Sequence, residues 1–512
     1  MPHPAPQRRS ARAVLGFTGT LAAAALALTA CAGNGPENAP STTTAPASTT
    51  ESAASQSQGS GAEATAASSV SEADRVDPTK TTEVSSVSPR VLFSHDEGLS
   101  LVDPATGKII HEQKLGGFKR LNNAGSGKDV FVTTENGWEI YSAGINAQVH
   151  GDHHHYYESD PGMTGVTFPG DKPGHVVVHN GRTTLFADGT GEISTFTSDH
   201  LDKAVPDLAP VVDEHRTEEA HHGVALELSD GNLLTTQGNE EGRNTVQVLE
   251  ADSGKVLAET KECPGVHGEA AAAPHDGTDV VVLGCENGPV IYRDGKFHKV
   301  PVQGDYYRNG NLAGIETSPV VLGDRKVEGK KAEGEETERP TAVDLIDAHK
   351  GSITTVQLDS SYWFRSLGRA EDGSAVVLTY DGDVTVIDEE TGKITAEIPA
   401  IAAWKEKAEW QEPGPILKVA GETAYVTDAE NKKLVTVDLK AGKVVKEVDL
   451  PFAPVEMAVV TGYEEAPKGA GEHAAEDAHG HEGHDHADGA EGHEHEHEAE
   501  GHEHEGEAGH TH

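Results

Sequence analysis

The chain has 512 residues, a formal net charge of −45 at pH 7 and 29 histidines. So acidic a composition excludes proteins that bind nucleic acid through its phosphates, because those proteins need clustered lysine and arginine. It favours an exported protein that raises the local concentration of cations.

The first segment, residues 1–31, predicts an export signal rather than part of the fold. Basic residues around Arg8 precede an apolar run, 14–30, that is too short for a permanent membrane span. The run ends in the sequence LTAC, which looks like the lipobox at which bacterial lipoproteins are cut before a lipidated cysteine. We therefore expect Cys31 to anchor the protein on the outer face of the cytoplasmic membrane. An ordinary secretory signal with a chance cysteine is the alternative.

Residues 32–87 consist of Ser, Thr, Ala, Gly and Glu with almost no large apolar side chain. Such a segment cannot bury enough surface to offset the entropy lost on ordering. It predicts a disordered tether that holds the following domain away from the membrane.

From residue 88 to 462 the sequence repeats a pattern of strand, tight turn, strand, Gly-containing hairpin and strand. Eight copies follow one another about 40 to 60 residues apart, the spacing of propeller blades. They begin at Val91, Val130, Val176, Asn232, Val280, Pro319, Ala375 and Ala424. Each copy, with one more strand before it, makes a four-stranded blade of a β-propeller.

Candidates for the additional strand begin at Gly165, Gly223, Gly268 and Pro415. The first copy lacks this strand, and the last apolar segment, 455–460, has no strands after it. We expect that segment to complete the first blade, because pairing the two chain ends removes the sheet edges. The prediction is an all-β fold, a single propeller of eight blades, with seven as the alternative. A pair of sandwiches does not explain the regular repeat.

Two cysteines, Cys263 and Cys285, remain besides the one at the lipobox. In an oxidising compartment such a pair forms a disulfide more often than a metal site. The sequence therefore favours a disulfide, with a metal-binding pair as the alternative.

Histidine is concentrated in the last segment, 463–512, where it alternates with Glu, Asp and Gly. The segment has no apolar face, so we expect it to be disordered alone. Imidazole and carboxylate groups suit Zn²⁺, and also Cu or Ni, so the tail predicts many weak metal sites; a solvated acidic spacer is the alternative. The candidate ligands are His479, His481, His484, His486, His493, His495, His497, His502 and His504.

A second group of histidines lies between the second and third copies, in the sequence HGDHHH. Alternate residues of an extended segment share a side, so His153 and His155 can face one ion. Asp152 can bind the ion or orient an imidazole. The candidate ligands here are His150, Asp152, His153, His154 and His155.

A third group occurs where the chain enters central strands, at His222-Gly223 and His267-Gly268. These equivalent positions in adjacent blades converge near the axis, so we expect His222 and His267 to meet, with the loop carrying His150 beside them. Two or three histidines with a carboxylate or water make a tetrahedral zinc site. His221 can join this site or serve a second ion, and hydrogen-bonded channel histidines are the alternative. The remaining candidates are interpreted as surface residues: His95, His175, His179, His275, His298 and His349.

The combination of HGDHHHYY from His150, AHHG from Ala220, GVHG from Gly265 and the cysteine pair resembles the AztD-type zinc metallochaperones over roughly 88–462. These are exported β-propellers that hand zinc to the solute-binding protein of a zinc ABC importer. The resemblance implies bound Zn²⁺, direct transfer to that partner and no enzyme activity, and we expect a monomer. The lipid anchor and the C-terminal histidines depart from the family and leave the order of zinc capture open.

Two other classes of function stay open. In a metal-dependent propeller enzyme, Glu219 or Glu269 would act as general base, although no spacing selects either and no nucleophile elbow, P-loop or dinucleotide motif is present. In a protein-binding scaffold, only the tail would sequester metal. The scaffold predicts that the propeller alone binds no zinc tightly.

Overall fold

The computed structural model describes residues 68–203, 212–239, 241–329 and 338–464. Within these ranges the protein is all-β, as predicted, with two short 3-10 helices, η1 (Glu72–Asp74) and η2 (Ser198–Lys203). No helix in them has the length and apolar character needed to cross a membrane. The lipobox, most of the predicted tether and the tail histidines lie outside the described residues.

The strands are short and follow one another along the whole described chain. The first twelve are β1 (Thr82–Val84), β2 (Arg90–His95), β3 (Gly98–Val102), β4 (Ile109–Lys114), β5 (Leu121–Asn123), β6 (Asp129–Thr134), β7 (Gly137–Ser142), β8 (Ile145–His150), β9 (His153–Glu158), β10 (Gly162–Pro169), β11 (Pro173–His179) and β12 (Arg182–Ala187). The next twelve are β13 (Glu192–Thr197), β14 (Asp213–Arg216), β15 (Ala225–Glu227), β16 (Leu233–Asn239), β17 (Gly242–Leu249), β18 (Val256–Thr260), β19 (Glu269–His275), β20 (Thr278–Leu283), β21 (Val290–Arg293), β22 (Lys296–Lys299), β23 (Leu312–Ala313) and β24 (Val320–Asp324). The last are β25 (Ala342–Asp347), β26 (Ser352–Gln357), β27 (Leu367–Arg369), β28 (Ala375–Leu378), β29 (Asp383–Ile387), β30 (Ile394–Pro399), β31 (Leu417–Ala420), β32 (Thr423–Asp428), β33 (Lys433–Asp438), β34 (Lys443–Asp449) and β35 (Glu456–Val460).

The described strands form eight four-stranded antiparallel sheets, here numbered I to VIII, and one three-stranded sheet. Sheet I has the order β35-β2-β3-β4 and sheet II the order β5-β6-β7-β10. Sheets III to VIII each use four consecutive strands, from β11 to β34. The three-stranded sheet has the order β1-β9-β8. We call the first strand of each four-stranded sheet its inner strand, because these strands contact one another between most neighbouring sheets.

The hydrophobic core lies between neighbouring sheets. Phe131 and Phe168 of sheet II pack with Leu185 and Phe196 of sheet III, and the other sheets are joined by similar clusters. Strands near the middle are covered on both faces and therefore consist of continuous apolar runs, such as residues 91–93 of β2, all fully buried. The outer strand β34 is mostly exposed and correspondingly polar.

The last strand completes the first sheet, as the sequence predicted. Strand β35 pairs with β2 in antiparallel register from Arg90↔Val460 to Ser94↔Glu456. Three predicted inner strands, those near Gly223, Gly268 and Pro415, are also present, as β15, β19 and β31.

The predicted inner strand near Gly165 is wrong. Strand β10, which contains it, pairs with β7 and is the outer strand of sheet II. The inner strand of sheet III is β11, which the sequence analysis took for the start of a repeat copy. A hairpin, β8 and β9, is inserted between the third and fourth strands of sheet II, and an alternating apolar pattern does not distinguish an outer strand from an inner one.

The folded part begins earlier than the predicted boundary at residue 88. Val70 is buried in one hydrophobic cluster with Leu99 and Met163, and the backbone N–H of Ser69 donates to Glu139 Oε1 at 2.7 Å. Strand β1 pairs with β9. The segment 68–87 is therefore not a tether, because a few apolar side chains and the free edge of β9 suffice to fix it.

The predicted disulfide between Cys263 and Cys285 is confirmed, and both residues are fully buried. It joins the loop that enters β19 to the residues that follow β20. The N–H of His267 donates to the carbonyl of Gly284, next to Cys285, at 3.0 Å. The disulfide therefore fixes the loop that carries His267.

Candidate metal sites

Three imidazoles from three successive sheets converge at the ends of inner strands. His175 lies near the start of β11, His222 precedes β15 and His267 precedes β19. The ring centroids are 5.0 Å apart for His222 and His267, 5.2 Å for His175 and His222, and 5.6 Å for His175 and His267. One nitrogen from each ring lies within 4.8 Å of the others. We call this group the inner triad.

Each ring of the inner triad is held through its Nδ1 atom. His175 Nδ1 lies 3.2 Å from Glu269 Oε1, and His222 Nδ1 lies 2.6 Å from Asp188 Oδ2. His267 Nδ1 donates to the carbonyl of Gly310 at 2.7 Å. These anchors fix the tautomer and leave Nε2 of every ring as the metal-binding atom, the arrangement that orients histidine ligands in metal sites.

The backbone beside His267 requires glycine. Gly268 has φ +81°, and a Cβ there would lie 2.6 Å from the carbonyl oxygen of Gly310. That oxygen is the acceptor of the His267 ring, so a larger residue would push away the group that orients the imidazole. The His-Gly step that the sequence showed is therefore a packing requirement of the site.

Burial and neighbouring charge separate the pKa values of the triad. Burial, then the charge of His175, lowers the pKa of His267 to about 3. Burial also acts to lower the pKa of His175, but the charge and hydrogen bond of Glu269 and the charge of Asp188 outweigh it and raise that pKa. His267 is therefore a neutral ligand at neutral pH, and nearby carboxylates stabilise positive charge at His175.

The second oxygen of Glu269 supports a cation at this site. The Glu269 side chain is only 10% exposed, and Oε2 is buried without a hydrogen-bond partner in the described part of the chain. Three imidazole nitrogens with a water or carboxylate oxygen make a common tetrahedral zinc set. The donor atoms of the inner triad therefore fit Zn²⁺.

A second group forms at the tip of the hairpin β8–β9. His155 Nε2 lies 3.2 Å from His150 Nδ1 and 3.2 Å from His153 Nε2. Two nitrogens bound to one tetrahedral zinc ion at 2.0–2.1 Å are about 3.3 Å apart, so these rings already have the spacing of ligands. We call this group the hairpin cluster; it is more exposed than the inner triad.

Carboxylates orient the hairpin cluster as well. His153 Nδ1 lies 3.2 Å from Asp152 Oδ1, and His155 Nδ1 lies 2.9 Å from Glu83 Oε1. The two-residue turn places His150 directly opposite His153 in the hairpin, with Gly151 at φ +66°. Asp152 thus contacts an imidazole, as the sequence analysis allowed. Glu83, which orients His155, belongs to the segment that the sequence analysis assigned to the tether.

The structure brings together His222 and His267, and separately His150, His153 and His155, as expected. That these residues bind zinc stays a prediction. Two other candidates lie apart from both groups. His221 is buried; its Nδ1–H donates to the carbonyl of Glu219, and its Nε2 is hydrogen-bonded to Thr236 Oγ1. His154 points away from its neighbours and packs against Tyr156 and Tyr463.

The expectation of one mouth that holds both groups is wrong. The hairpin β8–β9 joins sheet II at the Gly162 end of β10. His175 of the inner triad comes shortly after the opposite end of that strand, Pro169. The third imidazole beside His222 and His267 is His175, which the sequence analysis interpreted as a surface residue. Because β10 was taken for the inner strand of sheet III, the start of β11 was not recognised as the equivalent position.

The surface interpretation also fails for two other histidines. His179 is fully buried, with Nε2 3.1 Å from Asp279 Oδ1 and Nδ1 2.5 Å from Glu316 Oε1. His95 is buried and stacks on Phe452 with ring centroids 4.2 Å apart. His275, His298 and His349 are partly exposed.

Repeated four-stranded antiparallel sheets, with imidazoles gathered where their inner strands begin, define an all-β protein with candidate metal sites. Comparison with known proteins points to one member of that class. The chain is 24% identical over 397 residues to the zinc chaperone AztD of Citrobacter koseri. The aligned region covers 76% of this chain and 90% of that protein. This similarity confirms the resemblance to AztD-type proteins. No family model matches the chain.

Solved structures show the same fold. The crystal structure of Citrobacter koseri AztD matches with a TM-score of 0.61 and 21% identity, over 73% of this chain and 98% of that one. The structure of apo AztD from the same organism matches with a TM-score of 0.59 and 19% identity, over 74% and 99%. At these identities the likeness establishes the fold, and the function must be argued from the site.

Proposed function

We propose that this protein is a zinc metallochaperone, exported and anchored by lipid at Cys31. It captures Zn²⁺ outside the cytoplasmic membrane and transfers it to the solute-binding protein of a zinc ABC importer. It acts as a monomer and is not an enzyme. The name of the curated relative, a zinc chaperone, agrees with this function.

We further propose that sheets I to VIII are the blades of one closed, eight-bladed propeller. Contacts between inner strands support the ring: β31 contacts β35 of sheet I, and β35 contacts β5 of sheet II. The pairing of β35 with β2 makes the first blade from both chain ends. A ring of this kind leaves only the short outer edges of the blades unpaired and presents the inner triad at one mouth of the channel.

The observation that carries the function is the inner triad itself. Three rings from three sheets bring one nitrogen each within 4.8 Å of the others, and each ring is held by a separate acceptor through Nδ1. Such pre-orientation lowers the ordering cost of binding, so this site is the tight one. The scaffold alternative gives no reason for it.

The hairpin cluster is the more accessible zinc site. Its His150 and His153 rings are exposed, so a partner or a free ligand can reach the ion directly. Transfer then proceeds by ligand exchange, with ligands of donor and acceptor on the same ion in the intermediate. The histidines of the tail supply further weak sites that collect zinc quickly.

The enzyme alternative has one feature in its favour, since three histidines with a nearby carboxylate also occur in zinc hydrolases. Oε1 of Glu269, however, holds the ring of His175, which is the role of a carboxylate that orients a ligand. Glu219 accepts hydrogen bonds through its main-chain carbonyl. The geometry therefore selects neither as a general base.

The test is a transfer experiment. The zinc-loaded protein is mixed with metal-free solute-binding protein in the presence of a chelator that captures any released ion, and metal is measured in each protein after separation. Zinc in the recipient with none in the chelator supports direct transfer. Zinc that appears first in the chelator rejects the chaperone function.

A further inference from the structure

Cations from sheets II, VII and VIII surround the carboxylate of Glu456, the first residue of β35 in sheet I. Arg365 forms an ion pair with Glu456 Oε1, and Arg120 Nε lies 3.9 Å from the same oxygen. Lys418, on β31, has no side-chain hydrogen bond or ion pair within the described residues, although the charges of Glu456, Arg120 and Arg365 all act on it. Arg120, Arg365 and Lys418 form what we call the cationic cluster.

Aromatic rings hold the cationic cluster in place. The Arg120 guanidinium lies 5.1 Å from the centroid of the Trp410 ring, and that of Arg365 lies 4.9 Å from Phe364 and 5.8 Å from Trp410. Trp410 is nevertheless 44% exposed. Cation–π contacts fix the direction of the guanidinium groups, and the exposed indole offers an apolar surface beside them.

Three cations with one carboxylate are unfavourable for folding alone. Like charges repel: Lys418 is exposed to solvent, yet the protein atoms around its ammonium group and then the charges of Arg120 and Arg365 lower its pKa, against the opposite effect of Glu456. The excess of positive charge stands out in a chain with a net charge of −45. Such an excess is relieved when an anion binds, so the cationic cluster has the charge pattern of an anion site.

The cationic cluster and the inner triad occupy equivalent places in the fold. Arg120 precedes β5 and His175 lies near the start of β11, so both stand where the chain enters an inner strand. An anion held at Arg120 would therefore lie at the start of the inner strand of sheet II, and His175 of the inner triad lies near the start of the inner strand of the next sheet, III.

We propose that the cationic cluster docks the acidic C-terminal segment, residues 465–512, of the same chain. This segment has one basic residue, Lys468, among many carboxylates, so its charge complements the cluster. Fully extended, it would span roughly 150 Å at about 3.3 Å per residue. Tethering gives it an effective concentration near the millimolar range. Docking brings its histidines to the inner triad; this delivery step rests on the proposed function, whereas the docking does not.

The test measures docking without zinc. In the full chain, Thr511→Cys carries an acceptor dye, and energy transfer from tryptophan is followed in EDTA at low ionic strength. We expect efficient transfer that falls as salt is added. Arg120→Glu/Lys418→Glu should lower the docked-to-undocked ratio about tenfold or more, because like charges then face each other. If the charge reversal impairs folding, Arg120→Gln/Lys418→Gln replaces it; this variant only removes the two charges, so the docked-to-undocked ratio should fall by a smaller factor.

The matched control is Lys440→Glu/Lys446→Glu, which makes the same charge change at exposed positions in and before β34. Energy transfer unchanged by the test variants, or lowered equally by the control, overturns the proposal. Transfer that rises with protein concentration would assign the tail to a second copy and also overturns it. Because no metal is present, failure of the zinc function leaves these results unaffected.

Discussion

The ring centroids of His222 and His267 lie 5.0 Å apart, although the two residues belong to loops that enter two different, adjacent inner strands. Their anchors come from elsewhere: Asp188 follows β12 of sheet III, and Gly310 precedes β23 of sheet VI. Four sheets thus determine the position of two imidazoles. The site is assembled by the packing of sheets, so it exists before the metal arrives and needs little reorganisation to bind it.

His267→Ala should lower the zinc affinity of the tightest site by about a hundredfold or more, since it removes a metal-binding nitrogen rather than only an orienting group. Competition with a chelator stronger than the tail sites measures this affinity. His298→Ala, at a partly exposed histidine outside both groups, is the control. An unchanged affinity in His267→Ala would place the tight site elsewhere.

Glu269→Gln tests how the inner triad is oriented. The substitution keeps the shape of the side chain but removes the charge that stabilises His175, so zinc affinity should fall about 10- to 100-fold. Glu262→Gln makes the same change at an exposed position and should have no effect. If Glu269 were instead a general base, affinity would be kept and a hydrolytic activity would be lost.

His153→Ala/His155→Ala should remove one bound zinc ion and leave the inner triad occupied. The hairpin cluster and the inner triad lie beyond opposite ends of β10, so we expect substitutions in one group to leave zinc binding by the other unchanged. Calorimetric titration gives the stoichiometry. His154→Ala is the control: the ring of His154 packs on Tyr156 and lies outside the hairpin cluster, so this variant should still bind the ion. Loss of both ions from the double variant would contradict two separate sites.

The repeat in the sequence was sufficient to predict most of the fold. Apolar strands separated by polar turns have the same local signature in every copy, and the unpaired segment at 455–460 could complete only the first sheet. The disulfide followed from compartment and cysteine count. These features depend on local pattern and on the pairing of edges, which the sequence carries directly.

The composition of the sites was harder to predict, because it depends on which strand is inner. The inserted hairpin displaced the strand assignment by one, so His175 was assigned to the surface and the hairpin histidines to the wrong mouth. His221 directly precedes His222 in the sequence, yet its ring is hydrogen-bonded to Thr236 and does not join the inner triad. Sequence spacing gives the position of a residue along a strand. It does not give the hydrogen-bond partners of the ring, which for the inner triad come from distant parts of the chain.

His179 should stabilise the fold more at low pH than at high pH. Burial acts to lower its pKa, but hydrogen bonds to Asp279 and Glu316 and their charges outweigh it and raise the pKa. The folded state therefore binds the proton more tightly than the unfolded state. This stabilisation is complete below the unfolded pKa of about 6.5 and is lost as pH rises through the higher folded pKa.

His179→Gln measures that contribution by urea unfolding in EDTA. The variant should lose about 3–5 kcal/mol near pH 6, because it breaks a buried charge network, and the difference from the original chain should shrink as the solution becomes alkaline. His298→Gln, at a partly exposed site, should show no such trend. A difference that is equal at both extremes of pH would mean that His179 is neutral in the folded protein.

Loss of the disulfide should affect both stability and zinc binding. The two cysteines are separated by 22 residues, and closing a loop of that size stabilises the fold by about 3 kcal/mol. Because His267 donates its N–H to Gly284, beside Cys285, a looser loop should also displace the ring from the inner triad. Cys263→Ser/Cys285→Ser should therefore unfold at lower urea concentration and bind zinc more weakly at this site. The hairpin cluster is the internal control: its affinity should stay unchanged, and an equal loss at both sites would indicate general unfolding instead of a local effect on His267.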